Sequence, residues 1–261
     1  MSSRRAPAPA ALAAYVLHRH DWSETSLIVE LFTRAQGRVV VAAKGAKRPT
    51  SQLRPVLLPF QRLQVTLGRA PADASGEVFN LRGAEWGGGP PLPGGAALFA
   101  GFYLNELLLQ LLPRQDAHPA LFDAYAATLP RLAAQHDPGT QAALRAFELM
   151  LLRELGWLPE LSLLTPTQQP VQPQRRYALH GELGVVEGDD AALSGATLLA
   201  LQQALEAGDA NALWQAAAVE RAALRVQLRR LLHYHLPHPR LRTREVLRGV
   251  QGLSDLEVPD R

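Results

Sequence analysis

Lys44-Gly45-Ala46-Lys47-Arg48-Pro49 contains both lysines of a chain whose 25 other basic side chains are all arginine. The segment sits inside a run from Arg34 to Ala72 with eight basic residues (Arg34, Arg38, Lys44, Lys47, Arg48, Arg54, Arg62, Arg69) and no Asp or Glu. Cations gathered without counter-charges attract a phosphate backbone. Arginine abundance alone proves little, because Ala, Leu and Arg rise together in GC-rich coding sequence. The placement of both lysines is harder to ascribe to that bias. A glycine-containing basic loop between two strands would set flexible cations at a rim where a sugar-phosphate chain can lie. An ordinary solvated loop is the plain alternative.

Other arrangements that could do chemistry fall short. Lys44-Gly45 is reminiscent of a nucleotidyl-transfer lysine, but Ala46-Lys47 supplies no Asp for a K-x-D-G pattern. No G-x-x-x-x-G-K-[ST] phosphate loop exists, and the Gly87–Gly95 run follows no strand-to-helix pattern that would support nucleotide binding. His233, His235 and His238 resemble a metal cluster only on paper. Residues two apart on a helix point in nearly opposite directions, and Pro237 interrupts the path to His238, whereas metal ligands must converge. Asp189-Asp190 reads as a turn. No nucleophile, base and orienting group can be assembled, so the chain is expected to be no enzyme, with no cofactor and no metal.

A second basic group comprises Arg221, Arg225, Arg229, Arg230, Arg240, Arg242, Arg244 and Arg248. Arg221, Arg225 and Arg229 share one helical face, while Leu224, Leu228, Leu231 and Leu232 take the other. A second polyanion contact and a merely solvated or internally paired face are both open. In the middle of the chain, Asn105 and Glu106 stand amid leucines and are read as hydrogen-bonded to the neighbouring domain, with a contact surface as the alternative.

The elements that must position these groups follow from pattern. Five strand-like runs, Ala14–His20, Ser26–Thr33, Arg38–Ala42, Leu63–Leu67 and Gly76–Ala84, suit a five-stranded OB-fold barrel, although an SH3-like barrel would read similarly. Gly87 to Gly95 is a linker. Helices follow at Leu98–Leu112, His118–Leu132 (after Pro113) and Gln141–Leu155, the last closed by Gly156. The proline-rich stretch 159–192 holds a hairpin around Tyr177–Leu179 and Gly184–Val186. Helices resume at Ser194–Ala207 and Ala210–His235, and Thr243 is placed to cap a short helix over Arg244–Val250. The expected architecture is α+β: a disordered tail 1–12, a barrel 13–86, a linker 87–95, a helical domain 96–250 and a flexible tail 251–261.

Composition agrees with a folded chain. Of 261 residues, 47% are apolar and 20% charged, and there is no cysteine. Disorder, a disulfide framework, a thiolate nucleophile and cysteine-bound zinc are excluded. No apolar run is long enough to span a membrane, and the Ala/Pro tract of residues 1–14 does not read as a secretory signal, which points to a cytoplasmic protein. The net charge of +3 is unevenly placed. Residues 1–90 carry 12 basic and 6 acidic groups, residues 91–220 carry 6 and 14, and residues 221–261 carry 9 and 4. Both ends favour a polyanion partner.

Ordered blocks along the chain resemble the RecO family of bacterial recombination mediators. They are Glu24-Thr25-Ser26-Leu27 with Leu31-Phe32-Thr33 and Gly37; Lys44-Gly45-Ala46-Lys47-Arg48 with Leu57-Leu58-Pro59-Phe60-Gln61; Tyr103-Leu104-Asn105-Glu106-Leu107-Leu108 with Leu111-Leu112-Pro113-Arg114 and His118-Pro119; Leu121-Phe122-Asp123-Ala124-Tyr125; Phe147-Glu148 with Leu155-Gly156-Trp157; and Leu231-Leu232-His233-Tyr234-His235-Leu236 before Arg242-Thr243-Arg244-Glu245. The resemblance implies an OB-fold joined to a helical domain. It also implies a non-enzymatic protein that binds single- and double-stranded DNA, anneals complementary strands, and works with RecR and the SSB C-terminal tail to load RecA in recombinational repair. A cytoplasmic, nucleoid-associated location follows from the same likeness. The positions matching the family's DNA-binding barrel face are Arg34, Arg38, Lys44, Lys47, Arg48 and Arg54. Many family members carry a cysteine-ligated zinc module after the Leu-Gly-Trp block; here Leu161-Ser162-Leu163-Leu164 stands there instead, without cysteine. Arg131, Arg145 and Arg153 are candidates for an SSB-tail pocket only by their scarcity in the acidic middle. Two other readings of the residues stand beside this one: an OB-fold adaptor docking an acidic protein, and a single-stranded RNA-binding barrel.

Overall fold

Apolar and β-branched runs build the front of the chain, with strict period-two burial in β4. In β1 (Leu12–Asp21), β2 (Leu27–Thr33), β3 (Gly37–Ala43), β4 (Arg62–Leu67) and β5 (Val78–Trp86), every second apolar residue turns toward one core. Ala14, Val16, Val29, Leu31, Val39, Val41, Leu63 and Val65 meet there, all at most 1% exposed. The strands close into a barrel in the order β1-β2-β3-β5-β4, with β4 returning to β1. All pairings are antiparallel except β3 with β5. This closed five-stranded topology is the OB-fold rather than an SH3-like barrel.

These features come from a computed structural model that describes residues 10–68, 78–89, 91, 94–134, 137–188, 192–237, 241–243 and 246. Outside the described residues lie most of the leading tail, Arg69, the first two residues of the expected fifth strand, parts of the glycine-proline linker, and the Asp189-Asp190 turn. His238, Arg240, Arg244, Arg248, most of the expected helix over 244–250 and the final tail also lie outside them.

Two compact units emerge: Met1–Leu92 with Leu112–Phe122, and Pro93–Leu111 with Asp123–Arg261. In the first, the segment after α1 (Gly95–Leu111) and the first turn of α2 (Pro119–Ala133) return to the barrel. Phe122 packs its ring 5.3 Å from Tyr15 and 5.4 Å from Phe32, covering the outer face of β1 and β2. Gln115 donates its backbone N–H to the Arg38 carbonyl at 2.8 Å. Gly37 permits this approach: with φ of 65°, any Cβ there would lie 1.6 Å from the Asp116 carbonyl oxygen.

The second unit is helical. α1 buries Leu104, Leu107, Leu108 and Leu111, and the Asn105 side chain accepts a 2.6 Å hydrogen bond from the Tyr125 hydroxyl, a partner within its own unit rather than in the neighbouring domain. The Glu106 carboxylate receives the backbone N–H groups of Arg242 and Thr243. The backbone is already helical at Arg242, so Thr243 lies within a helical turn and Glu106 supplies the acceptor expected of a cap. α3 (Asp137–Glu154) ends at Gly156, whose φ is 71°. A small sheet of β6 (Arg176–His180), β7 (Gly184–Val186) and β8 (Leu193–Ser194) precedes α4 (Gly195–Ala207).

One expected helix is two. Residues 210–235 form α5 (Ala210–Val219) and α6 (Arg221–His235), with Glu220 between them at φ −112°, ψ 46°. No proline or glycine marks the break. The cause is tertiary: the Glu220 carboxylate turns away to take the Ser194 N–H at 2.7 Å, the Ser194 hydroxyl at 2.9 Å and the Arg176 guanidinium at 3.2 Å.

Candidate nucleic-acid interface

The long connection from β3 to β4 is pinned by three apolar plugs, Ala46, Leu57 and Phe60, each at most 1% exposed. Between the plugs its backbone turns repeatedly, with Arg48 N–H bonding Gly45 O, Ser51 N–H bonding Arg48 O and Arg54 N–H bonding Ser51 O. The turn between β1 and β2 is fastened to it. Lys47 donates its backbone N–H to Thr25 O at 2.9 Å, and Gly45 donates to the Ser26 hydroxyl at 3.3 Å. Gly45 has φ of 71°, a left-handed conformation that suits glycine and lets the chain reverse directly after Lys44.

Burying the plugs forces the residues between them outward. Lys44, Arg48 and Arg54 are exposed, and Lys47 is partly covered. A cavity of about 350 Å³ opens at this end of the barrel, lined by Arg19, Asp21, Leu27, Ala46, Lys47 and Arg54. Arg19 is held in place by a 3.0 Å hydrogen bond from its guanidinium to Leu57 O. Lys47 pairs with Asp21 at 3.3 Å and donates to Ser23 O at 3.2 Å. Because Asp21 is 77% exposed, that ion pair is worth less than about 1 kcal/mol, and an arriving phosphate can compete for the lysine. Glu24 is the other carboxylate in this turn. Trp22 stands beside the cluster, 57% exposed. An open indole next to cations is the combination on which unpaired bases stack.

Of the six positions expected on a DNA-binding face, Lys44, Lys47, Arg48 and Arg54 therefore come together at one end of the barrel. Arg34 does not join them. It is exposed in the turn between β2 and β3, at the other end of β3 from Lys44, a strand length of roughly 20 Å away. Arg38 is set apart for a different reason. Its side chain is only 15% exposed, faces the outer surface of β3, and lies 3.8 Å from the buried Glu30 carboxylate. Arg114 reaches the same carboxylate at 3.0 Å. Burial lowers the Arg38 pKa from its ordinary value; Glu30 works against that shift and Arg114 with it. This triad clamps residues 112–122 onto the barrel.

Arg19 and Trp22 join this candidate site without having been legible as candidates in the sequence. A β-bulge between Val16 and His18 shifts the register, and beyond it His18, Arg19 and His20 are all exposed. The signal was present in the loss of alternation over His18-Arg19-His20-Asp21-Trp22. Among the described residues, no group of three or more His, Asp or Glu side chains is arranged to hold a metal ion. His235 instead stacks on Trp157 with ring centroids 4.5 Å apart. No helix of the described residues is long and apolar enough to cross a membrane.

Comparison with known proteins agrees with both halves of this architecture. The family model described as Recombination protein O N terminal matches residues 10–78, and Recombination protein O C terminal matches residues 94–245. The DNA repair protein RecO of Variovorax paradoxus is 52% identical over 252 residues, and that of Polaromonas naphthalenivorans 50% over 244. The DNA repair protein RecO of Delftia acidovorans is 50% identical over 246 residues. Each alignment covers 92% of this chain and 96% of the relative. With both family models in order along the chain, and half of all aligned positions identical, the chain belongs to the RecO family of DNA repair proteins.

Proposed function

We propose that this protein binds single-stranded DNA at the loop end of its barrel and anneals complementary strands there without bond chemistry, as a mediator in recombinational repair. The observation that carries the reading is the gathering of Arg19, Lys44, Lys47, Arg48 and Arg54 with the open Trp22 at one end of an OB-fold, in a RecO-family chain. Two strands repel each other through their phosphates. Cations that neutralise the repulsion, and an indole that takes a base without regard to its identity, make encounter and pairing faster. On this reading the protein helps recombinase load onto SSB-coated DNA, together with RecR and the SSB C-terminal tail, in the cytoplasm at the nucleoid.

The test is fluorescence annealing of SSB-coated complementary oligonucleotides, paired with a salt titration of oligothymidine binding. If about 4–5 phosphates are engaged, the log–log salt slope is near −3. Lys44→Ala/Arg48→Ala/Arg54→Ala is expected to flatten the slope by about 2 and slow annealing about tenfold. An unchanged slope removes these residues from the site. Tighter binding of oligouridine than of oligothymidine would point to an RNA-binding barrel. Binding of an acidic peptide, but of neither nucleic acid, would point to a protein adaptor.

A further inference from the structure

Arginines in the second unit fall into two kinds. Every described one from Arg131 to Arg176 is fastened within the chain. Arg131 lies over the Trp214 ring at 3.4 Å and bonds Asn211, Arg145 pairs with buried Glu148 at 2.8 Å, and Arg153 donates to Leu205 O. Arg175 pairs with Glu187 at 2.9 Å and Arg176 with Glu220 at 3.2 Å. On α6 the pattern stops. Arg221, Arg225 and Arg229 are exposed, and none meets a carboxylate among the described residues. The opposite face of α6 buries Leu224, Leu228, Leu231 and Leu232, so the arginine face is turned outward by packing.

That face works against its own helix. Like charges four residues apart cost a few tenths of a kcal/mol per pair, and Arg221 sits at the positive end of the helix dipole with no acidic residue in the first turn. A concave surface of about 620 Å³ runs along it, lined by Arg225, Val226, Arg229, Arg230 and His233. From Arg221 to Arg229 the rise is about 12 Å. One strand of a duplex presents three to four phosphates over a similar axial length, at about 3.4 Å each. Val226 is the one apolar residue among those five, so the surface lacks the larger apolar pocket that an acidic, hydrophobic peptide tail would need.

We infer that Arg221, Arg225 and Arg229 on α6 form a second nucleic-acid site, which holds the sugar-phosphate backbone of a second strand while the barrel holds the first. The inference rests on the reading of the protein as a strand-annealing mediator and supplies what annealing requires, a place for each of two chains.

Arg225→Ala/Arg229→Ala in the full-length protein tests it, beside Arg225→Lys/Arg229→Lys, which keeps the charge. Binding of an oligothymidine of about eight nucleotides, within the site size of one OB-fold, is followed by stoichiometric titration and annealing by fluorescence. Wild type is expected to take two oligonucleotides per chain. The alanine pair should take one with the tighter affinity unchanged and anneal about tenfold more slowly, and the lysine pair should regain most of both. An alanine pair with wild-type stoichiometry and annealing overturns the second site. So does a lower melting temperature with unchanged stoichiometry, which assigns the arginines to the chain's own fold. Loss of acidic-peptide binding with DNA stoichiometry intact overturns it in favour of a protein partner. A wild type that takes up no oligothymidine at all would instead fail the barrel reading, a different result from any of these.

Discussion

At the scale of single residues, identity of charge does not decide role; the neighbour does. Lys44 and Lys47 are three residues apart, yet Lys44 is exposed and Lys47 is tied to Asp21 and Ser23. Lys47 therefore both stitches two loops and offers a cation, whereas Lys44 is only an offered cation. Trp22 brings another kind of contact. Stacking on unpaired bases is worth about 1–3 kcal/mol per base, and a paired base is not available to it. Trp22→Ala is accordingly expected to weaken single-stranded DNA binding about tenfold or more and leave duplex binding nearly unchanged, as read by anisotropy. Equal loss for both forms would make Trp22 a loop-shaping residue instead. The lysine pair could be read in the sequence because two lysines among 27 basic residues stand out. The burial of Arg38 could not, because its partners Glu30 and Arg114 lie 8 and 76 positions away and only the folded sheet brings them together.

At the scale of elements, the strands were legible almost to their ends, as continuous apolar runs in β1, β2 and β3, where both faces are covered over much of the strand, and as a period-two pattern in β4, where one face is open. Breaks set by distant partners were not. Nothing within residues 210–235 announces that the helix stops at Glu220; the reason is Ser194, 26 residues earlier. Burial raises the Glu220 pKa, but bonds from the Ser194 backbone, Thr197 and the Ser194 hydroxyl, with Arg176 nearby, outweigh it and hold the carboxyl below its ordinary value. A carboxyl depressed in the folded state stabilises above its unfolded value, about 4.3, and loses that contribution as pH falls through the folded one. Glu220→Gln is expected to lower the melting temperature at pH 7, with the gap from wild type closing as pH drops below about 4. A gap constant with pH would leave the charge without a part. Gly37 makes a second case. Gly37→Ala meets the Asp116 carbonyl and an unfavourable φ together, at an expected cost of about 2–4 kcal/mol in urea unfolding. Gly188→Ala, with nothing within 4 Å of the new Cβ, is expected to be near neutral.

At the scale of the whole molecule, chain order and unit membership part company. The linker after β5 suggests that the barrel ends there, yet residues 112–122 belong to the barrel unit although α1 before them does not. Their contribution is specific. Phe122, 1% exposed, seals Tyr15 and Phe32, and burying such a ring is worth about 1.5–3 kcal/mol before any aromatic pairing is added. Arg114, 41% exposed, shares the compensation of Glu30 with Arg38, so its ion pair adds about 1 kcal/mol. Together these reach the lower end of the stability of a small domain, which is about 5–15 kcal/mol. A fragment of residues 1–92 is therefore expected to lose slow amide exchange in β2 and β3 and to unfold without a sharp transition, while the intact chain keeps both. If the fragment instead protects Val29, Leu31, Val39 and Val41 as the intact chain does, the returning segment merely rests on a barrel that is stable by itself. The outcome also bears on function, because Arg19 and the Lys44–Arg54 loop are positioned by those strands. A barrel that needs residues 112–122 for its own stability cannot present its cations when cut from the rest of the chain.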